Sequence, residues 1–129
     1  MGFSIEFVSP ESLLYSGQGT QVVARTRGGG EIAFLAGHEP FIGSLQVSEV
    51  RVTEEGGDVQ SFAVRSGFVS VTGQKVTVLS DEAVPSGEIN SDEAQADLTS
   101  AQEALKADEH DAFAIEDQRW AELRLALGA

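Results

Sequence analysis

Phe62-Ala63-Val64-Arg65-Ser66-Gly67-Phe68-Val69-Ser70-Val71-Thr72-Gly73-Gln74-Lys75-Val76-Thr77-Val78-Leu79 repeats its apolar residues with a period of two and breaks the repeat at two glycine-bearing points. A period of two sends successive side chains to opposite faces of a strand, so Phe62 and Val64, Val69 and Val71, and Val76 and Val78 read as the buried sides of three strands. The two residues Gly73-Gln74 between Phe68–Thr72 and Lys75–Leu79 predict a tight hairpin. Outward from this stretch the same alternation recurs in Phe3, Ile5 and Phe7 and in Val50 and Val52. Ser9-Pro10-Glu11, Ser16-Gly17-Gln18-Gly19, Arg27-Gly28-Gly29-Gly30 and Glu55-Gly56-Gly57-Asp58 read as turns between such strands. Turn signals at roughly 8- to 12-residue spacing predict a sandwich or barrel.

After Val84-Pro85-Ser86-Gly87 the period changes to that of a helix. Ser91 is the expected cap, with Asp92 and Glu93 in the first turn, where acids complement the helix dipole. Ala94, Leu98, Ala101 and Leu105 then form one narrow apolar stripe. Asp108-Glu109-His110-Asp111 turns the chain, and Phe113, Trp120, Leu123 and Leu127 mark the expected inner face of a second helix. Two helices joined so briefly predict an antiparallel hairpin. The fold expected from the residues is therefore a β-sandwich over residues 1–84 followed by a helical hairpin over residues 85–129. The hairpin, rich in alanine, removes little apolar area and is expected to be weakly held.

The chain has 129 residues, 21 acids, 8 bases and no cysteine. The absence of cysteine excludes disulfides and thiolate metal sites, and its two histidines, His38 and His110, stand far apart. The formal charge of -13 argues against nucleic-acid partners, which are held by Lys and Arg on phosphates. Residues 81–129 hold 13 of the acids and only three bases, so the two parts differ electrostatically. No apolar run is long enough to span a membrane, and Met1 leads directly into a strand pattern, which points to a soluble protein without a leader.

Candidate chemistry is sparse. Arg27-Gly28-Gly29-Gly30 lacks the Lys and Ser/Thr of a phosphate loop. His38 has neither a serine nor a cysteine nucleophile nearby in sequence, and Gly37 and Pro40 around it suggest a fixed loop that presents a contact surface. The acids of the second part match no calcium loop. No metal or cofactor is expected. A binding or regulatory subunit fits better than an enzyme using His38 with Glu31 or Glu39, and a free-standing ligand- or protein-sensing sandwich remains the alternative.

Phe7-Val8-Ser9-Pro10-Glu11 with Leu14-Tyr15-Ser16-Gly17, Gly30-Glu31-Ile32 leading to Gly37-His38-Glu39-Pro40, Phe62 to Phe68, and Val76-Thr77-Val78-Leu79-Ser80-Asp81 together resemble the epsilon subunit of bacterial F-type ATP synthases. The resemblance implies a sandwich of about ten strands with a two-helix hairpin, placed in the central stalk on the cytoplasmic face of the cell membrane without inserting into it. It implies that the subunit itself makes no ATP. Its partners would be the gamma subunit, the c-ring and, through the hairpin, the catalytic alpha/beta hexamer. By resemblance, Glu31, His38 and Glu39 face the c-ring, and Ser9, Phe41 and Ile42 face gamma.

Departures from the family pattern are Ala33 for a glycine, Ala36 for a proline and Glu39 for an alanine. Some relatives bind ATP at an Ile/Leu-Asp-x-x-Arg-Ala motif. The matching residues here are Ile89, Asn90, Glu93 and Ala94, a degenerate version in which the acid is lost and the cation is reversed in sign. ATP binding is therefore expected to be weak or absent. Inhibition through the last helix is also expected to be weak, because Arg119 and Arg124 face Asp111, Glu116, Asp117 and Glu122 on the same segment.

Overall fold

A computed structural model describes residues 2–128; Met1 and Ala129, the outer bounds of the two expected segments, lie outside the described residues. Among the described residues nine strands, in line with the expected sandwich of about ten, precede two helices: β1 Phe3–Val8, β2 Leu13–Thr26, β3 Gly30–Leu35, β4 Phe41–Leu45, β5 Ser48–Glu54, β6 Val59–Val64, β7 Gly67–Thr72, β8 Lys75–Leu79, β9 Ala83–Pro85, α1 Ser91–Ala107 and α2 Ala112–Gly128. One layer runs β1-β8-β7-β4, with β1 and β8 parallel, and the other runs β2-β5-β6-β9 with β3 beside β2. The expected hairpin turns at Gly73-Gln74, and Arg27–Gly29 form the β2–β3 turn, where Gly28 has φ +80°.

Ser16-Gly17-Gln18-Gly19, expected as a turn, lies inside the 14-residue strand β2. That strand pairs with β1 through its first half, with β5 and β3 through its second, and touches β4 at Thr26 opposite Leu45, so it belongs to both layers. Gly19 stands where β2 crosses from one to the other. A Cβ there would fall 2.5 Å from Ile5 Cδ1 and 2.6 Å from the Thr53 carbonyl, and the register shifts between Gly19 and Gln21. The glycine answers to close approach within a bent strand, which a turn pattern mimics in sequence.

The alternating residues meet as expected. Phe3, Ile5, Phe7, Val50, Val52, Phe62, Val64, Val69, Val71, Val76 and Val78 fill the core between the layers with Val22, Phe34 and Leu45. Tyr15 packs edge-on against Phe7 and Phe62 at centroid distances of 5.7 and 5.0 Å. Its hydroxyl donates to Glu54 Oε2 at 2.8 Å, and burial, reinforced by that carboxylate, pushes the phenol up to about 12. Ala63 breaks the alternation. Buried between Phe62 and Val64, it points away from the core, on a strand that α2 covers.

The hairpin forms as expected, with two differences. Asn90, not Ser91, caps α1: its Oδ1 accepts the Glu93 N–H at 3.0 Å. On α2 the buried residues are Ala114, Trp120, Ala121 and Arg124, whereas Phe113, expected inside, is 82% exposed. Alanine faces let the helices approach closely, and the long Phe113 side chain is turned out of that contact. Asp108 and Asp111 close the turn, accepting the His110 and Ala114 N–H groups at 3.0 and 3.1 Å.

Gly67 has φ +130°, and a Cβ there would lie 1.8 Å from the Leu79 carbonyl oxygen, in backbone that cannot yield. Gly67→Ala is expected to cost about 3 kcal/mol or more, whereas Gly28→Ala, in open space, should cost about 1 kcal/mol. Urea unfolding of the two variants checks this, and equal midpoints would contradict it.

Candidate functional site

Three surfaces carry the residues that the sequence singles out. The first is the end of β3 and the loop after it. Gly37 adopts φ +80°, the His38 N–H donates to the Leu35 carbonyl at 3.1 Å, and the ring sits edge-on to Phe34 at 4.9 Å. His38 Nδ1 is 2.7 Å from the Glu39 carbonyl, which can only accept, so the ring proton occupies Nδ1. Glu39 is exposed at the loop tip. Glu31 lies at the other end of β3, where Arg25 and Arg51 each approach it at 3.5 Å. About 13 Å of strand separates it from the carbonyl that holds His38. The structure therefore brings His38 and Glu39 together and leaves Glu31 apart, so no His38–Glu31 acid-base pair exists.

The second surface is the outer face of the first layer. Strand alternation turns Ile42 outward on β4, Phe68 on β7, Leu79 on β8 and Val8 on β1. Phe68 pairs with Leu79 across the ladder, Leu79 with Val8, and Ile42 lies opposite Ser70, one outward step from Phe68. Ile42 is 74%, Phe68 52% and Leu79 44% exposed. These residues form an apolar stripe with Ser44, Ser70 and Thr77 between them. At its end a cleft of about 200 Å³ is lined by Val8, Pro10, Phe68 and Leu79. Ser9 adjoins it, tied to Ser12 in a tight turn. Phe41 packs inward against Phe34 at 5.5 Å, so Ile42 is the residue of this pair that projects outward.

The third surface is the seam between sandwich and hairpin. Ile89, Asn90 and Glu93 border a cleft of about 180 Å³ together with Glu82, Glu88 and Arg124, while Ala94 is fully buried. Arg124 is already engaged: Nη2 donates to Asp97 at 2.8 Å, and its guanidinium lies 5.0 Å from the Trp120 ring centroid. Asn90 Oδ1 is used as the helix cap. Beside this cleft, Arg65 at the end of β6 donates to Asp117 and lies 3.8 Å from Glu116 and 3.9 Å from Glu82. Burial alone would lower the Arg65 guanidinium, but the hydrogen bond and charge of Asp117, with Glu82 and Glu116, raise it. The contacts of Arg65 and Arg124 escape sequence reasoning because their partners lie 52 and 27 residues away.

A family model for the ATP synthase Delta/Epsilon chain β-sandwich domain matches residues 2–86. The chain belongs to this family. The "ATP synthase epsilon chain" of Corynebacterium efficiens is 43% identical over 105 residues, covering 81% of this chain and 84% of the relative. That of Brevibacillus brevis is 37% identical over 102 residues, covering 79% and 76%. Among solved structures, a chain of the Euglena gracilis mitochondrial ATP synthase matches with a TM-score of 0.71 at 24% identity, covering 96% of this chain and 75% of that one, a likeness of fold. As an epsilon chain the protein is a non-catalytic subunit of the F-type synthase, a part of its rotor. Among the described residues no cluster of metal-ligating side chains occurs, and no helix is long and apolar enough to cross a membrane.

The three acids around Arg65 make it a single cationic tie between sandwich and hairpin, with partners that are about half exposed. Arg65→Gln is expected to lower hydrogen-exchange protection of α2 by roughly five- to tenfold, about 1 kcal/mol for a small network of this kind. Added salt should reduce the wild-type protection in the same direction. Unchanged α2 protection in the variant would show that packing alone holds the hairpin.

Proposed function

We propose that the apolar stripe Ile42-Phe68-Leu79-Val8, with Ser9 at its end, docks the epsilon chain on the gamma subunit, and that the His38-Glu39 loop with Glu31 meets the c-ring. The stripe carries this reading. A band of large exposed apolar side chains on the outer face of a sandwich is the kind of surface that a partner covers. The loop suits a second contact of another kind: it is polar, held at His38 by two hydrogen bonds and braced on Phe34, so it can pass torque without deforming. Glu39 and Glu31 give that contact an acidic character. The complex lies at the cytoplasmic face of the membrane, with the sandwich as the fixed part of the rotor and the hairpin as its regulatory part, able to reach the catalytic hexamer.

The seam offers little to a nucleotide. Glu82, Glu88 and Glu93 surround the cleft at the start of α1, and the one cation there is already spent on Asp97. A triphosphate placed among these carboxylates would meet like charge at close range. Inhibition of ATP hydrolysis by the hairpin is weak or steric, since α2 carries two arginines against three acids.

Two measurements bear on this. Gamma should copurify with the wild-type chain, and Phe68→Asp, which puts an unpaired charge into the covered stripe, should weaken that association at least a hundredfold, about 3 kcal/mol, with circular dichroism unchanged. Retention of gamma by a folded Phe68→Asp chain would overturn the docking face. Calorimetry of the isolated chain with ATP should show no binding in the micromolar range, and a micromolar dissociation constant would refute the account of the degenerate motif.

A further inference from the structure

Five of the eight basic side chains are ion-paired: Arg25, Arg51, Arg65, Lys75 and Arg124. Arg27, Lys106 and Arg119 make no ion pair among the described residues, although acids outnumber bases 21 to 8. Arg27 and Arg119 line one cleft, of about 590 Å³, between the sandwich and α2. Arg27 comes from the β2–β3 turn. Its backbone N–H donates to the Ser44 carbonyl at 2.8 Å and its Nε to the Leu45 carbonyl at 3.2 Å, which anchors the stem and leaves both Nη groups without a protein partner among the described residues. Arg119 comes from the exposed side of α2. Gln46 and Val47 floor the sandwich side and the exposed Phe113 flanks the helix side. Glu116, the one acid on this lining, has its carboxylate 3.8 Å from Arg65.

Guanidiniums on the two sides of one cleft favour an anion between them. Their planar donor forks match oxyanions bidentately. The volume is that of a small-ligand site.

We propose that this cleft binds a phosphate-class oxyanion, one able to reach both Arg27 and Arg119 and so to bridge the sandwich and α2. The shared chemistry is the phosphate group, whether inorganic or carried on a larger molecule. The site lies apart from the Ile89–Ala94 segment and its acidic cleft. It belongs to the free chain and needs no partner subunit, so its failure would leave the rotor reading untouched.

The test uses the full chain with inorganic pyrophosphate, inorganic phosphate and a tricarboxylate at fixed ionic strength, followed by amide chemical shifts. On a chain of net charge -13 non-specific anion association is disfavoured, so saturation is informative. Pyrophosphate is expected to saturate with a dissociation constant of about 1 mM, shifting residues near 27, 46 and 119. Arg27→Gln and Arg119→Gln should each weaken it about tenfold. Lys106→Gln, which removes an unpaired cation elsewhere, should change it less than twofold. Arg27→Lys keeps the charge in a variant with little reason to misfold and should lie between. Hydrogen exchange of α2 should slow when pyrophosphate binds. A shift pattern that fails to saturate, a tricarboxylate that binds as tightly, or affinity untouched by both arginine substitutions would overturn the site. Binding without slower α2 exchange would overturn the bridge.

Discussion

Strand β2 has to serve two layers, and at Gly19 there is room for a hydrogen atom but not a methyl group. Phe3 pairs with it on one side and Glu54 on the other, with the Ile5 side chain and the Thr53 carbonyl closing the remaining space. The layers can close on one apolar core because the strand can pass through this point and bend after it. From that crossing follow the two surfaces the chain offers: β3 runs back along β2 toward the His38 loop, and β4, meeting β2 at Thr26, carries Ile42 onto the outer stripe.

Electrostatics then divides the labour. Most of the negative charge lies beyond residue 80, on a hairpin whose buried faces are largely alanine. Alanine faces remove little apolar area, so the arginines add charge contacts that join these acidic helices to the sandwich and to each other. Arg65 draws α2 inward and Arg124 ties α2 to α1 through Asp97. A cleft of about 310 Å³ lies between Arg65 and the two helices.

Much of this architecture was legible in the sequence, because alternation and helical stripes are local properties. Phe3-Ile5-Phe7, the 68–79 hairpin and the Ala94-Leu98-Ala101-Leu105 stripe all depend on neighbours a few residues away. The misreadings share a cause. Gly17 and Gly19 resemble turn residues because glycine serves both tight turns and close strand crossings, and only the tertiary partners distinguish them. Helical spacing puts Phe113 on one face with Trp120, Leu123 and Leu127, but the helix interface selected the small residues Ala114 and Ala121 beside Trp120 instead. Ser91 and Asn90 are both good caps, and the side chain that reaches the third amide decides between them. Of the site residues, the kink around His38 was readable from Gly37 and Pro40. The outer stripe and the arginine contacts were not, since they arise from ladder register and from pairs distant in the chain.

The parallel pairing of β1 with β8 also sets an order of events. β1 pairs on one edge with the nearby β2, but on its other edge Ser4 meets Lys75 and Val8 meets Leu79, so that second edge must wait for nearly the whole sandwich to be synthesised. Non-local closure of this kind is slow, because the entropy of a long loop is lost before the contacts form. The α1–α2 hairpin, with contacts local in sequence, can form quickly, but Ala63 and Arg65 offer it a seat only once β6 is in place. Completion of the sandwich, rather than formation of the helices, is thus the step that times maturation of this chain.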